Sequence, residues 1–258
     1  MRTEPVTALS PRGIRHVLLT QRWSELTFVH WAVPPDVVAP LLPEGTRPDV
    51  LDGVTYVGLV PFRMVGVGFL RLPGVPWLGT FAETNVRLYS VDGAGRRGVV
   101  FRSLEAARLL PVLTARATLR LPYRWARMRI DRTGDRVRYT TRRHRLEGAP
   151  RGGTVEVRVG APVTDPGPLE HFVTARWGLH TRVAGRTLYL PNAHPQWPLR
   201  HAELLHLDDD LVAAAGLPEA TGEPDSVLYS PGVPVRFGPP LPITGTRPVG
   251  PRGGSVRR

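Results

Sequence analysis

The sequence predicts an α+β domain made mostly of antiparallel β-structure, and three observations carry that reading. Alternation of apolar and polar residues with a period of two recurs from Glu25 to Val159. Turn-forming pairs such as Asp92-Gly93 and Gly134-Asp135 fall between alternating stretches, as hairpin connections require. Segments with helical periodicity are few and short.

The strand candidates begin at Glu25 to Trp31, where Leu26, Phe28 and His30 share one side. Thr46 to Leu51 and Val54 to Met64 follow, with Pro61 in the second suiting an edge or a strand end. Phe81 to Val91, Gly98 to Glu105, Ala115 to Tyr123, Arg127 to Asp131, Arg136 to Arg142 and Thr154 to Val159 complete the set. Pro34-Pro35-Asp36 opens a helix that Pro43 stops after Leu42. Pro168 to Trp177 spaces Leu169, Phe172, Val173 and Arg176 as a helix face. Asp208 to Ala215 starts with acids and stops at Gly216, as a short helix does.

A chain of 258 residues, 41% hydrophobic and 22% charged, suits one large domain with a sizeable core. Residues 22–237 carry the β pattern, behind an extension over 1–21. From Gly238 to Arg258, proline, glycine and arginine prevail and a disordered tail is expected. The extension lacks the apolar core of a signal peptide, so the chain reads as cytoplasmic, with no membrane partner. No cysteine occurs, which excludes disulfides, iron–sulfur clusters and thiolate metal sites. All 34 basic residues are arginine. Without lysine, no side-chain amine is present to form an imine.

Common catalytic signatures are missing: there is no G-x-S-x-G elbow, no phosphate-binding loop ending in Gly-Lys, and no H-E-x-x-H. The most informative stretch is Phe81-Ala-Glu-Thr-Asn-Val-Arg-Leu-Tyr89. As a strand it puts Phe81, Glu83, Asn85, Arg87 and Tyr89 on one face, with Ala82, Thr84, Val86 and Leu88 on the other. An acid, an amide and a guanidinium then follow at steps of roughly 7 Å. Such a row can bind a carboxylate through Arg87, with Glu83 as acid or base and Asn85 as orienting donor. Periodicity alone favours a solvated polar face, whereas the enclosing Phe81 and Tyr89 favour a cleft wall.

On the loop His194-Pro-Gln-Trp-Pro-Leu199, His194 is a candidate acid–base group beside Trp197, or else a structural histidine holding the loop. His201, Glu203 and His206 match no standard ligand spacing, so no metal is expected. His30 reads as a satisfied core residue. Eleven arginines fall between Arg116 and Arg145. Arg136, Arg138 and Arg142 share a face opposite Val137, Tyr139 and Thr141. The aromatic ring thus points inward, and a solvated basic face is expected rather than a nucleic-acid platform.

Taken together, ordered motifs resemble the YqjF-like family of domain of unknown function 2071. They are Leu26-Thr-Phe-Val-His-Trp31, Leu42-Pro43, Pro61-Phe62-Arg-Met64, Phe81-x-Glu-x-Asn-Val-Arg87, Val100-Phe101-x-Ser-Leu104, Ala115-Arg116, Leu121-Pro-Tyr123 and His194-Pro-x-Trp-Pro-Leu199. Leu88 departs from the threonine usual after the arginine, and Ala175 and Trp177 replace a glutamate and a tyrosine around Arg176.

That family looks related to the acetoacetate decarboxylase superfamily, which implies a curved antiparallel sheet or barrel enclosing a central cavity. Characterised superfamily members act on small keto acids through a Schiff-base lysine, which this chain cannot supply. Glu83 resembles one of the superfamily's acids. The resemblance therefore implies a small-molecule ligand without a cofactor, held by Asn85, Arg87 or Arg63 among Phe81, Tyr89, Ser103, Arg116, Tyr123 and Trp197. Acid–base chemistry by Glu83 and His194 is one expectation, and a sensor or carrier without catalysis is the alternative. A nucleic-acid module on the basic face ranks behind both, and a homo-oligomer is left open.

Overall fold

The computed structural model describes residues 3–69, 79–217, 220 and 222–243. The strands are β1 (Leu19–Val33), β2 (Thr46–Pro48), β3 (Thr55–Phe69), β4 (Phe81–Asp92), β5 (Arg97–Ala106), β6 (Tyr123–Thr133), β7 (Arg136–Arg143) and β8 (Gly152–Pro162). After them come β9 (Gly178–Val183), β10 (Arg186–Ala193), β11 (Arg200–Asp209), β12 (Ser226–Phe237) and β13 (Leu241–Pro242). Four short α-helices intervene: α1 (Pro35–Val38), α2 (Leu109–Leu119), α3 (Pro168–Thr174) and α4 (Leu211–Ala214).

All thirteen strands join one sheet, and two extra pairings, β4 with β5 and β10 with β12, close it on itself. Neighbours run antiparallel except where β5 meets β6 and β9 in parallel. Two closed circuits result, and they share β12, β1, β3, β4 and β5 as a common wall. One circuit is completed by β6, β7, β8 and β11, the other by β9 and β10. Closure removes the open edges that would invite aggregation.

The shared wall explains the burial pattern. Successive side chains of a strand point to opposite faces, and here each face meets a different apolar core. Phe28, Val60, Phe62, Tyr89 and Leu190 belong to one core, whereas Val29, Val57, Val86, Leu88, Val137 and Val157 belong to the other. Every residue of β4 is consequently buried. A solvated face for Glu83, Asn85 and Arg87 is thereby overturned.

Several sequence expectations need correction. Ala115 to Tyr123 is not a strand: helix α2 runs to Leu119, and Arg120 ends it in the left-handed conformation at φ 51°. Thr114 and Thr118 return their hydroxyls to the carbonyls of Leu110 and Thr114 one turn back, satisfying themselves within the helix. Helix α3 stops at Thr174, so Arg176 lies beyond it. Asp208 and Asp209 finish β11, and helix α4 begins only at Leu211, with the Asp209 carboxylate accepting from the Val212 amide. In β10 and β12 the alternation is interrupted by Pro191, Pro231 and Pro234. The expected tail is paired at its start, Leu241 and Pro242 lying against Tyr189 and Leu188, while 244–258 fall outside the described residues. On β7, Arg136, Arg138 and Arg142 are exposed, and Val137, Tyr139 and Thr141 are buried, as the alternation predicts. No helix among the described residues is long and apolar enough to cross a membrane.

Gly58 on β3 lies where the wall is most crowded. A Cβ there would stand 2.8 Å from His30 Nε2 and 3.2 Å from Arg87 Cγ. His30 is itself fully buried and bonded to Tyr89, so it has nowhere to move. Gly58→Ala should lower unfolding free energy in urea by about 1–3 kcal/mol. Gly13→Ala, whose Cβ would meet nothing, should stay within about 0.5 kcal/mol of wild type.

Candidate functional site

Between the shared wall, β9, β10 and helix α2 lies a cavity of about 470 Å³. Its polar floor is set by alternation on β4, which turns Glu83, Asn85 and Arg87 inward. Arg176, Asn192 and His194 join them from the segments around β9 and β10.

Glu83 is 3% exposed. The Tyr123 hydroxyl donates to its Oε2 at 3.0 Å. Burial pushes the carboxyl up to about 8; the Tyr123 bond opposes this and the charge of Glu105 adds to it. Burial thus favours the protonated form of the Glu83 carboxyl, which lines the cavity.

Arg87 presents the opposite chemistry. Its Nε donates to the Tyr89 hydroxyl at 3.0 Å and its Nη2 to the Val173 carbonyl at 2.7 Å. Tyr89 in turn donates to the same carbonyl at 2.8 Å, and His30 Nε2 lies 2.7 Å from the Tyr89 oxygen. The Tyr89 hydroxyl has one proton, already given to Val173, so His30 carries its proton on Nε2 and donates. Every acceptor that Arg87 finds is neutral, and among the described residues no carboxylate pairs with it. Burial, reinforced by the positive charges of Arg87 and Arg176, holds His30 well below its ordinary value and thus neutral.

Arg176 lies across the Phe172 ring, its guanidinium carbon 4.3 Å from the centroid. One of its nitrogens donates to Asp49 at 2.7 Å, but Asp49 also serves Arg97. Arg176 Nε and Nη2 are buried without a partner, as are the Oδ1 atoms of Asn85 and Asn192. Buried polar atoms left unsatisfied are rare, and those of Arg176, Asn85 and Asn192 belong to residues that line the cavity.

His194 is packed among three indoles, with ring centroids 4.4 Å from Trp177, 4.9 Å from Trp197 and 6.3 Å from Trp23. Its Nδ1 donates to the Pro195 carbonyl at 2.7 Å, which leaves Nε2 as the acceptor. Burial lowers it to about 4, against the opposing pull of the Pro195 bond and with help from Arg87. His194 ties down its loop and also lines the cavity.

Of the predicted contacts, Glu83, Asn85, Arg87, Tyr123, His194 and Trp197 meet at the cavity. Arg63, Ser103 and Arg116 do not. Arg63 lies on the face of β3 opposite Phe62 and Met64, and pairs with Glu25 at 2.6 Å. Ser103 sits across from Val86, facing the second core, and donates to Glu105 at 2.6 Å. Arg116 projects from the far side of helix α2 to Glu147 at 2.5 Å. Phe81 and Tyr89 are packed behind the cavity surface, and Tyr89 acts through Arg87. Sequence reasoning missed Arg176, Asn192 and Trp23 as cavity residues. For Arg176 a signal existed, since its two neighbours depart from the family pattern. Among the described residues, no three histidine, aspartate or glutamate side chains cluster so as to hold a metal ion.

Comparison with known proteins agrees with this architecture. An acetoacetate decarboxylase from Legionella pneumophila superposes with a TM-score of 0.64 at 13% identity, covering 92% of each chain. An acetoacetate decarboxylase-like enzyme from Sphingomonas wittichii RW1 gives 0.63 at 13% identity, over 92% of this chain and 98% of that one. The enduracididine biosynthesis enzyme MppR, complexed with pyruvate, gives 0.60 at 14% identity, over 88% and 91%. At such identities the likeness concerns the fold. The uncharacterized protein YqjF of Bacillus subtilis (strain 168) is 30% identical over 187 residues, 72% of this chain and 76% of its own. The model of DUF2071, an uncharacterized conserved protein family, matches residues 20–234, and the chain belongs to that family.

Proposed function

We propose that this protein binds a small carboxylate-bearing molecule in its central cavity, with the carboxylate on Arg87. The observation that carries this reading is a buried guanidinium at the cavity floor with only neutral acceptors. A buried charge without a counter-charge costs several kcal/mol. A ligand carboxylate would supply the counter-charge, and the neighbouring guanidinium of Arg176 adds positive charge to the same floor. Asn85 and Asn192 line the same cavity and bring carboxamide side chains to it. The pyruvate complex of MppR is consistent with an acid in this type of fold.

A second reading, acid–base turnover of the bound molecule, is favoured by Glu83. A carboxyl raised to about 8 can give a proton at neutral pH, and His194 Nε2 offers an acceptor on the same floor. Imine chemistry has no place in either reading, because no lysine is present.

Thermal-shift measurements with propionate, pyruvate and benzoate test the binding reading. The acids should raise Tm, by an amount equivalent to about 2.7 kcal/mol at a hundredfold excess over Kd, whereas propionamide and benzamide should not. Arg87→Gln should abolish the difference. Equal stabilisation by acids and amides, or an unchanged response in Arg87→Gln, would sink it. Glu83→Gln should retain acid binding, and if the protein turns over a ligand, that variant should lose turnover alone.

The pH dependence of stability tests the state of Glu83. A carboxyl raised in the folded state from 4.5 to about 8 binds its proton more tightly folded than unfolded. Its contribution is therefore full below about pH 4.5 and is lost as pH rises toward 8 and beyond. Urea titrations from pH 4.5 to 8.5 should show wild type losing stability relative to Glu83→Gln. Parallel curves would show that Glu83 ionises normally.

A further inference from the structure

The cavity is graded from floor to mouth. At the floor lie buried polar groups: Glu83, Asn85, Arg87, Arg176, Asn192 and His194. At the mouth the lining residues reach solvent, with Phe69 51% exposed, Leu18 37% exposed, and Thr118 and Pro240 exposed beside them. The other lining side chains are nearly all aliphatic or aromatic, among them Leu26, Phe62, Met64, Phe101, Leu119 and Leu190. A three-carbon acid on Arg87 would leave this apolar wall empty or wet. At the roughly 30 Å³ that a water occupies in the liquid, 470 Å³ corresponds to about sixteen non-hydrogen atoms.

We infer that the ligand is an amphipathic monocarboxylic acid that enters head first. Its carboxylate lies on Arg87 at the floor, and an unbranched or aryl body of roughly eight to twelve carbons fills the apolar throat toward helix α2, Phe69 and Leu18. This rests on the carboxylate reading of Arg87 and adds to it the size and polarity of the remainder. Two properties of the wall support the assignment. The throat offers apolar surface and hardly any hydrogen-bond partners, so a polar body would lose its water without compensation. Arg87 pairs with Gly58, well back along β3 from Phe69, which lies beside Leu19 at the exposed end, so a carboxylate held on Arg87 leaves the body of the ligand pointing toward the mouth.

Calorimetric titration with the straight-chain acids from acetate to hexadecanoate tests it. Kd should fall about three- to fourfold per added methylene, level off near ten carbons, and rise again once the chain outgrows the mouth. Thr118→Trp, on the exposed rim of helix α2, should shift that optimum several carbons shorter and leave propionate binding within twofold. A Kd independent of length, with short acids still bound in an Arg87-dependent way, would overturn this inference and spare the carboxylate site. An unchanged optimum in Thr118→Trp would place the body elsewhere and overturn it too. Acids that bind equally well to Arg87→Gln would overturn the carboxylate site itself.

Discussion

The positive charge of Arg87, buried in the fold with no carboxylate paired to it among the described residues, is the constraint around which the site is organised. Little of the guanidinium reaches solvent, so its N–H groups rely on acceptors in the protein or in a ligand. Tyr89 and the Val173 carbonyl take two of them, and Tyr89 can do so because it passes its own proton to Val173 and receives one from His30. His30 must then stay neutral, which its burial and the two nearby arginines enforce. Gly58 must remain a glycine so that His30 and Arg87 can lie against the wall. One desolvated cation thus fixes the identity of residues on β1, β3 and β4 and the placement of helix α3.

Such a charge can be kept dry because the two closed circuits share a wall. On β4, the side facing β7 and β8 is ordinary core, Val86 and Leu88 among valines, with the Thr84 hydroxyl 3.0 Å from that of Thr141. The other side carries Glu83, Asn85 and Arg87. Four residues along a strand separate Glu83 from Arg87 by roughly 13 Å of backbone. At that spacing they do not form an ion pair, and Glu83 instead keeps its proton beside Tyr123. The floor therefore has a cationic end and a neutral acidic end. That bipolarity suits a ligand whose carboxylate and reacting group are different parts of one molecule.

Much of this was legible in the sequence. Alternation located β1, β3 to β8 and the face shared by Glu83, Asn85 and Arg87, because both faces of these strands still alternate between two kinds of residue. It could not show that the two faces met two separate cores, since that depends on sheet closure between residues far apart in sequence. For Arg63, Ser103 and Arg116 proximity in a motif was misleading. Arg63 sits one residue out of phase with the cavity face of β3 and Arg116 on the far side of a helix, whereas Ser103 shares its parity with the cavity residue Phe101 and is turned away by a β-bulge between them. Helix α2 was misread because its threonines and leucines suit a strand as well as a helix, and only tertiary packing chose between them. Arg176 escaped notice because its position depends on the irregular turn after helix α3 rather than on any repeat.

The absent lysine acquires meaning in this frame. The fold is shared with decarboxylases, but this chain's cavity offers a guanidinium, a protonated carboxyl and a neutral imidazole instead of an amine nucleophile. The chemistry proposed for it is accordingly anion binding, with proton transfer as the second reading. A crystal structure with decanoate bound tests the central claim most directly. Carboxylate oxygens should lie about 2.7–2.9 Å from the nitrogens of Arg87, with the alkyl chain running toward Phe69 and helix α2. A chain lying with its tail on Arg87 and its carboxylate at the mouth, or a floor that holds only water, would contradict it.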